Sequence, residues 1–118
     1  MIIKPQLFDT VELIRPLPEH NVAAGIRAVL AHQYDDDTFD LEVVDDKGWT
    51  EAVFMLSAKD FIVVWCNETG EYVSEEDKVA QIVARLPESK KLSVFDFARF
   101  LVAAQPADRL DVVYASAD

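Results

Sequence analysis

Residues 8–66 alternate between apolar and polar side chains in short runs that turn-forming residues interrupt. The clearest run is Phe39-Asp40-Leu41-Glu42-Val43, in which every second side chain is apolar. Because successive side chains of a β-strand point to opposite faces, this period of two predicts a strand with one buried face. Runs of this kind at spacings of about 8–12 residues predict a small five-stranded barrel over residues 1–66.

The five predicted strands are connected by segments with clear turn chemistry. Asp45-Asp46-Lys47-Gly48 predicts a hairpin turn, because Gly48 accepts the positive φ that tight turns require. Ser57-Ala58-Lys59-Asp60 predicts one tight helical turn. The predicted strands are residues 8–14, 26–32, 39–43, 50–56 and 61–65.

The pattern becomes helical after a polar segment at residues 67–71. Ser74 is the predicted N-cap of a first helix, with Asp77 at the position of a capping-box acid. Apolar residues then recur at spacings of three and four, which gives the helix one apolar stripe. That stripe consists of Val79, Ile82, Val83 and Leu86.

A second helix is predicted beyond Pro87, which ends the first helix and can occupy the first position of the next. This second helix runs to about Ala104, before Pro106. Residues 67–118 are therefore predicted to form a helical hairpin with a C-terminal tail, in which residues 111–114 form either a short strand or a disordered end. The predicted fold class is α+β.

The second helix is apolar nearly all round between Leu92 and Ala104. Its polar residues in that stretch, Ser93, Asp96 and Arg99, form one narrow stripe. A surface helix of a small domain needs an apolar face of only about 100°. One interpretation is that the helix is buried between the barrel and the first helix. The other is that part of it faces a partner protein or a second copy of the chain.

The spacing of the phenylalanines separates two sides of this helix. Phe97 and Leu101 lie four residues apart, with Val94 three residues before Phe97, and we assign that side to the intramolecular core. At 100° per residue, Phe100 lies about 60° from Phe97 and Phe95 about 160° from it. We therefore predict Phe95 and Phe100 as the partner-binding residues.

Charge limits the classes of partner. The chain has 118 residues with 11 basic and 22 acidic side chains, a net charge of −11 and a pI near 4.4. A surface of this sign repels phosphate groups, so we expect neither nucleic acid nor a membrane as a partner. A basic protein is the partner that the charge favours.

The expected compartment is the cytoplasm. The longest apolar run, Phe61–Cys66, is far shorter than the roughly 20 residues of a membrane-spanning helix. Cys66 is the single cysteine, which excludes a disulfide framework within the chain and fits a reducing compartment.

No residue is predicted to be catalytic, to bind a cofactor or to bind a metal. His20, His32 and Cys66 lack the spacing of metal ligands. The acidic run Asp35-Asp36-Asp37 resembles the start of a calcium loop, but Asp40 stands where that loop needs glycine. We interpret the run as a solvated hairpin tip. Three glycines in all are too few for a phosphate-binding loop.

Several short segments of the first half resemble a bacterial family known as domain of unknown function 4926. The segments are Phe8–Leu13, Leu17–His20, Ala24-Gly25, Leu41–Asp45 and Gly48–Thr50. The resemblance covers about residues 6–64. It implies an SH3-like small barrel, and it supplies no catalytic residues. The family usually has a glycine after the Pro-Glu-His run, where this chain has Asn21, a residue that tolerates left-handed backbone.

Residues 75–104 resemble helical segments of antitoxin-like proteins. The resemblance rests on Leu86-Pro87-Glu88, Val94-Phe95-Asp96-Phe97 and Phe100-Leu101. It implies a small accessory protein that is encoded beside a toxin-like or uncharacterised neighbour.

The expected function is therefore a non-enzymatic protein–protein interaction module, antitoxin- or immunity-like, that binds a partner protein. Two alternatives remain at this point. One is an adaptor that binds a peptide or nucleic acid through aromatic residues of the barrel. The other is an enzyme with an unrecognised carboxylate site, for which a pair such as Glu75-Glu76 would need a pocket. The aromatic candidates for an adaptor groove are Trp49, Trp65, Tyr34 and Phe39.

Overall fold

The computed structural model describes residues 3–106, and the predicted strand or disordered end at 111–114 lies outside the described residues. The chain divides into two compact units, residues 1–85 and residues 86–118. The boundary between the two units lies between residues 85 and 86, whereas the composition of the sequence changes at residue 67. Each unit is therefore described by itself.

The first unit contains one antiparallel sheet of six strands in the order β4-β3-β2-β1-β5-β6. The strands are β1 (Thr10–Leu13), β2 (Arg27–Gln33), β3 (Thr38–Val44), β4 (Thr50–Ser57), β5 (Phe61–Cys66) and β6 (Glu71–Tyr72). The helices are α1 (Glu75–Val83) in the first unit and α2 (Glu88–Ala104) in the second, and short 3-10 turns lie at Pro18–His20 and Ala58–Asp60. The predicted α+β class is confirmed.

The five-stranded barrel that we predicted is not confirmed, because the sheet has a sixth strand and is open. β6 pairs with the end of β5 through Trp65 opposite Tyr72 and Cys66 opposite Glu71. A strand of two residues is too short to show alternation, and its polar surroundings favoured a linker. The outcome is a sheet whose two edges are β4 and β6.

Most of the local structure agrees with the sequence. Ser74 caps α1, and its hydroxyl accepts a hydrogen bond from the backbone N–H of Asp77 at 3.1 Å. Asn21 has a φ of 56°, in the left-handed region expected from its place in the family pattern. Gly48 has a φ of 87° in the β3–β4 turn. Pro87 is the N-cap of α2 rather than its first helical residue.

The core lies on the inner face of the sheet. In β3 the alternation places Phe39 and Leu41 in full burial. The rings of Phe39 and Phe61 meet edge to face, with 5.9 Å between their centroids. Aromatic pairs favour this arrangement, because the positive edge of one ring faces the negative face of the other. The buried cluster is Val11, Leu13, Leu17, Ala28, Leu30, Phe39, Leu41, Phe54, Phe61, Val63 and Val73.

β5 is buried on both faces, and Gln81 of α1 completes its hydrogen bonding. The side-chain oxygen of Gln81 accepts from the backbone N–H of Val63 at 2.8 Å, and its amide nitrogen donates to the Val63 carbonyl at 2.8 Å. Gln81 is itself buried. Its amide therefore occupies the place of a neighbouring strand at a point that the short β6 does not reach.

Arg85 connects the end of α1 to the turn before β5. Its Nε and Nη2 donate to the carbonyl of Ala58 at 3.1 and 2.9 Å, and its Nη1 donates to the carbonyl of Gln81. Burial lowers the pKa of the Arg85 guanidinium from its ordinary value. The contact holds α1 against the sheet through backbone carbonyls.

Asp9 is a buried carboxylate that ties the entry of β1 to the loop after β5. Its Oδ2 accepts from the backbone N–H of Gln6 at 2.9 Å, and its Oδ1 accepts from the backbone N–H of Asn67 at 2.8 Å. Both carboxylate oxygens of Asp9 therefore accept hydrogen bonds from the backbone, and a carboxylate is usually buried only when it is bonded in this way.

Replacing Gln81 with Leu should lower the free energy of unfolding by about 2–4 kcal/mol, because a buried N–H and a buried C=O of Val63 lose their partners. Urea denaturation measures this loss, and hydrogen exchange of the Val63 amide should accelerate. Glu76→Leu, at an exposed position of the same helix, is the control and should change stability by no more than about 0.5 kcal/mol. Equal effects of the two substitutions would contradict this role for Gln81.

Candidate functional site

α2 carries the two residues that the sequence predicts to bind a partner. The helix begins after Pro87, whose carbonyl accepts from the backbone N–H groups of Lys90 and Lys91. Glu88 lies in the first turn, where a carboxylate interacts favourably with the helix dipole. The helix ends at Ala104, immediately before Gln105 and Pro106.

The apolar side chains of α2 are exposed. Phe95, Phe97 and Phe100 keep 59%, 61% and 62% of their surface in contact with solvent. Leu101, which the spacing assigned to an intramolecular core together with Phe97, is exposed as well. No described side chain of α2 is buried. Among the described residues of its own unit, 86–106, the helix therefore presents aromatic surface that no other side chain buries.

These aromatic side chains make contacts along the helix itself. The rings of Phe97 and Phe100 are stacked, with 6.3 Å between their centroids. The guanidinium of Arg99 lies over the ring of Phe95, 5.2 Å from its centroid, and Nη2 of Arg99 also forms an ion pair with Oδ1 of Asp96 at 3.1 Å. A cation over an aromatic face adds an attraction of about 0.5–1 kcal/mol at an exposed site.

Six apolar residues of α2 share one continuous side of the helix. At 100° per residue, this side extends about 160° from Phe97 to Phe95, and Asp96 lies opposite its centre. We call this side the apolar face of α2. It consists of Val94, Phe95, Phe97, Ala98, Leu101 and Val102. Phe95 and Phe97 mark its two margins, and Phe100 lies beyond Phe97 on the side of the polar stripe.

The histidines lie in two separate places and pack against aromatic rings. The His20 ring lies 4.6 Å from the Phe54 ring, and the His32 ring meets Tyr34 edge to face at 4.6 Å. His20 and Phe54 line an open groove of 390 Å³ between the residue 20–26 loop and the β3–β4 hairpin. Among residues 3–106, no three His, Cys, Asp or Glu side chains are placed to hold a metal ion together.

The acidic run in the β2–β3 turn is held by bonds to neighbouring groups. The carboxylate of Asp35 accepts from the backbone N–H of Asp37, and this bond lowers the pKa of Asp35. The carboxylate of Asp37 accepts from the Ser57 hydroxyl at 2.8 Å. The hydroxyl of Tyr34 donates to Asp40 at 2.8 Å, which raises the pKa of the Tyr34 hydroxyl. These bonds order the turn through groups of the protein itself.

The chemistry of Cys66 is that of an unreactive thiol. It is half-buried at the end of β5. Burial raises the pKa of the Cys66 thiol, and the nearby charges of Asp9, Glu68 and Glu71 raise it further. The thiolate is the reactive form of cysteine, so this environment disfavours nucleophilic chemistry.

The four aromatic residues proposed for an adaptor groove do not converge. Phe39 is fully buried in the core. Tyr34 lies before β3 and Trp49 lies after it, so they stand at opposite ends of that strand. Trp65 lies on β5, opposite Thr10 and Tyr72. The structure therefore places no single groove among these residues.

We expect Phe95→Ala and Phe100→Ala each to change the free energy of unfolding by no more than about 0.5 kcal/mol, because both side chains are exposed. Phe39→Ala, in the core, should cost about 3–5 kcal/mol. Urea denaturation of the three variants measures the difference. A loss at Phe95 or Phe100 as large as that at Phe39 would show that the residue belongs to a core.

The comparisons with known proteins bear on the sheet alone. Residues 7–63 match the family model described as Domain of unknown function (DUF4926). The matched residues contain β1 to β4 and the first half of β5, and they end before β6 and both helices. No curated protein and no solved structure gives a significant match.

In the described residues, no helix is both long enough and apolar enough to span a membrane. The family match confirms the resemblance over residues 6–64, and the segment 7–63 belongs to the family of domain of unknown function 4926.

Proposed function

We propose that this protein is a non-enzymatic protein–protein interaction module in which the apolar face of α2 docks onto a basic partner protein. The observation that carries the proposal is the exposure of Phe95 and Phe97 on this face, with Phe100 exposed beside it. Contiguous exposed apolar surface on a soluble protein usually marks an interaction site. A helix that lays one apolar face into a groove of its partner is a recurring mode of recognition.

The size of the exposed side chains supports an interface of useful strength. Burial of a phenylalanine side chain stabilises a complex by about 1.5–3 kcal/mol. Aromatic residues at the centre of an interface often dominate its energy. Phe95 and Phe97 at the two margins of the apolar face would anchor a groove that is wide enough to receive Val94 and Ala98 between them.

The distribution of charge supports a basic partner. Residues 1–85 contain seven Lys and Arg against 17 Asp and Glu, a net charge of −10, whereas residues 86–118 carry −1. The first unit therefore supplies nearly all of the negative field, and α2 supplies the apolar contact. Opposite charges on two proteins raise the rate at which they meet, and the apolar contact then slows dissociation.

Two finer proposals accompany this function. The likeness of residues 75–104 to antitoxin-like segments supports an antitoxin- or immunity-like protein that neutralises a basic protein encoded beside it. The antiparallel strands β1 to β5, whose inner-face side chains belong to one buried cluster, support the SH3-like arrangement that the family resemblance implies.

Site-specific photocrosslinking in cells tests the interface directly. We expect a photoreactive p-benzoylphenylalanine in place of Phe97 to capture one basic protein, which mass spectrometry identifies. The matched control carries the same group in place of Asp96, on the opposite side of α2, and should not capture that protein. Crosslinks from Phe97 only to residues of the same chain, or the same products from both positions, would contradict the proposal.

The purified pair then gives the energetic test. Phe95→Ala combined with Phe97→Ala should weaken binding to the captured protein at least about tenfold, which corresponds to about 1.4 kcal/mol. The association rate should fall as salt rises, because screening removes the attraction between the acidic unit and a basic partner. Binding that neither substitution nor salt changes would contradict this mode of docking.

The same charge predicts that the protein does not bind nucleic acid. Affinity for duplex DNA depends mainly on contacts with phosphates, and the net charge of −11 opposes them. Fluorescence anisotropy with a labelled random-sequence duplex at physiological salt should show no binding at micromolar protein. Binding that weakens as salt rises would contradict this expectation and support the adaptor alternative.

A further inference from the structure

The open groove between the loop at residues 20–26 and the β3–β4 hairpin has a volume of 390 Å³. This volume lies at the lower end of the range for ligand sites, which is about 300–1,000 Å³. The floor of the groove is apolar and rests on the core, since Phe54 is buried and the other floor residues are half-buried against the buried cluster. These other floor residues are Val22, Val43 and Ala52.

A β-bulge turns the side chain of Glu51 toward this groove. Val43 of β3 pairs with Ala52, and the next residue of β3 pairs with Thr50. Glu51 is therefore an extra residue of β4 that has no partner on β3. Successive side chains of a regular strand point to opposite faces. Glu51 and Ala52 both line the groove, because a bulge redirects a side chain. Bulges of this kind are frequent beside active sites.

The opposite rim of the groove is fixed by the loop before β2. Two backbone hydrogen bonds between Leu17 and Val22, at 2.8 and 3.1 Å, close the 3-10 turn Pro18–His20. The ring of His20 then packs on the ring of Phe54, with 4.6 Å between their centroids. The groove is therefore preformed, which lowers the conformational entropy that a ligand must overcome on binding.

The charge at the rim is negative. Among the described residues that line the groove, Glu51 is the single acidic one, and none is lysine or arginine. The carboxylate of Glu51 forms no ion pair with a side chain of residues 3–106. The first unit adds a negative field, since its seven basic and 17 acidic side chains give a net charge of −10. The group that complements an apolar floor and this rim is a cation on an apolar stem.

We propose that this groove binds an arginine side chain of a peptide segment from another protein, with the guanidinium on the carboxylate of Glu51 and the methylene stem on Val43 and Ala52. Arginine suits the site better than lysine, because its planar guanidinium can bond a carboxylate through two parallel N–H groups. It also stacks on aromatic rings, and His20 supplies one at the opposite rim. The site lies in the first unit and makes no use of α2, so this inference goes beyond the proposed function.

The shape of the groove selects a peptide segment as the occupant. A pocket for a small molecule usually surrounds about 70–90% of its ligand. An open groove covers only one side of what it holds, which suits a side chain that another protein supplies. In an extended segment, side chains two residues apart point the same way. A segment of the form Arg-X-Leu therefore brings a second, apolar side chain to Ile26, which keeps 37% of its surface exposed.

NMR titration of the isotope-labelled full chain with the peptide acetyl-Arg-Ser-Leu-amide tests the site. We expect saturable shifts at the amides of Glu51 and Phe54, with a dissociation constant of about 0.1–1 mM. Ala23→Phe, which adds a ring at an exposed position of the rim, should abolish this binding. Phe95→Ala combined with Phe97→Ala should leave it unchanged, which separates this site from the α2 interface.

A double-mutant cycle isolates the contact between Glu51 and the arginine. Glu51→Gln should weaken binding of the peptide at least about threefold, and replacement of its arginine by neutral citrulline should weaken binding to the same extent. The two changes together should weaken binding no further than either change alone, because both remove the same interaction. Glu68→Gln, which removes an equal charge from the exposed loop after β5, is the control and should leave the constant nearly unchanged.

Four results would overturn the proposal. The first two are shifts that map to α2 rather than to the groove, and equal effects of Glu51→Gln and Glu68→Gln. The third is binding of argininamide alone as tight as that of the peptide, which would assign the groove to a small cation. The last is absence of binding to the full chain. If removal of residues 107–118 then restored binding, the occupant would be the chain's own C-terminal segment.

Discussion

The two hydrogen bonds between the Gln81 side chain and the backbone of Val63 determine how far the sheet extends. β5 is buried on both faces, so its backbone groups have no access to water and need partners within the protein. β1 supplies partners on one side; on the other side β6 pairs with Trp65 and Cys66, and the N–H of Val73 donates to the carbonyl of Val64 at 2.9 Å. The amide of Gln81 fills the remaining position, and in doing so it fixes α1 to the sheet.

This arrangement divides the protein into parts with different physical character. The first unit holds the core and a net charge of −10, and it is complete as a packed structure because the inner face of its sheet is filled. α2 has the opposite properties, since it is nearly neutral and its apolar side chains are exposed. In the proposed function, the long-range field of the first unit attracts a basic partner, and the apolar contact of the second unit slows its dissociation.

The parts of the fold that the sequence predicts well are those in which local chemistry and burial agree. Phe39 and Leu41 alternate with acidic residues and are buried as expected. Ser74 is the N-cap of α1, as its hydroxyl group predicts. β6 and the role of Gln81 could not be predicted in this way. Two residues carry no periodicity, and a single glutamine on the polar side of an amphipathic pattern is indistinguishable from a solvated residue. The pairing of β6 and the role of Gln81 both depend on where β5 ends in the folded structure. Tertiary packing sets that position, and local sequence does not show it.

The sheet is open, so the backbone groups at its two edges limit how copies of the chain can assemble. A sheet with two free edges would add strands at both sides and grow into a fibre. Here Gln81 and the short β6 cover one edge, and at the other edge β4 carries a β-bulge at Glu51, where its pairing with β3 shifts register. In the described residues, both edges therefore carry features that oppose strand pairing, namely Gln81 and the two-residue β6 at one edge, and the bulge with the charge of Glu51 at the other.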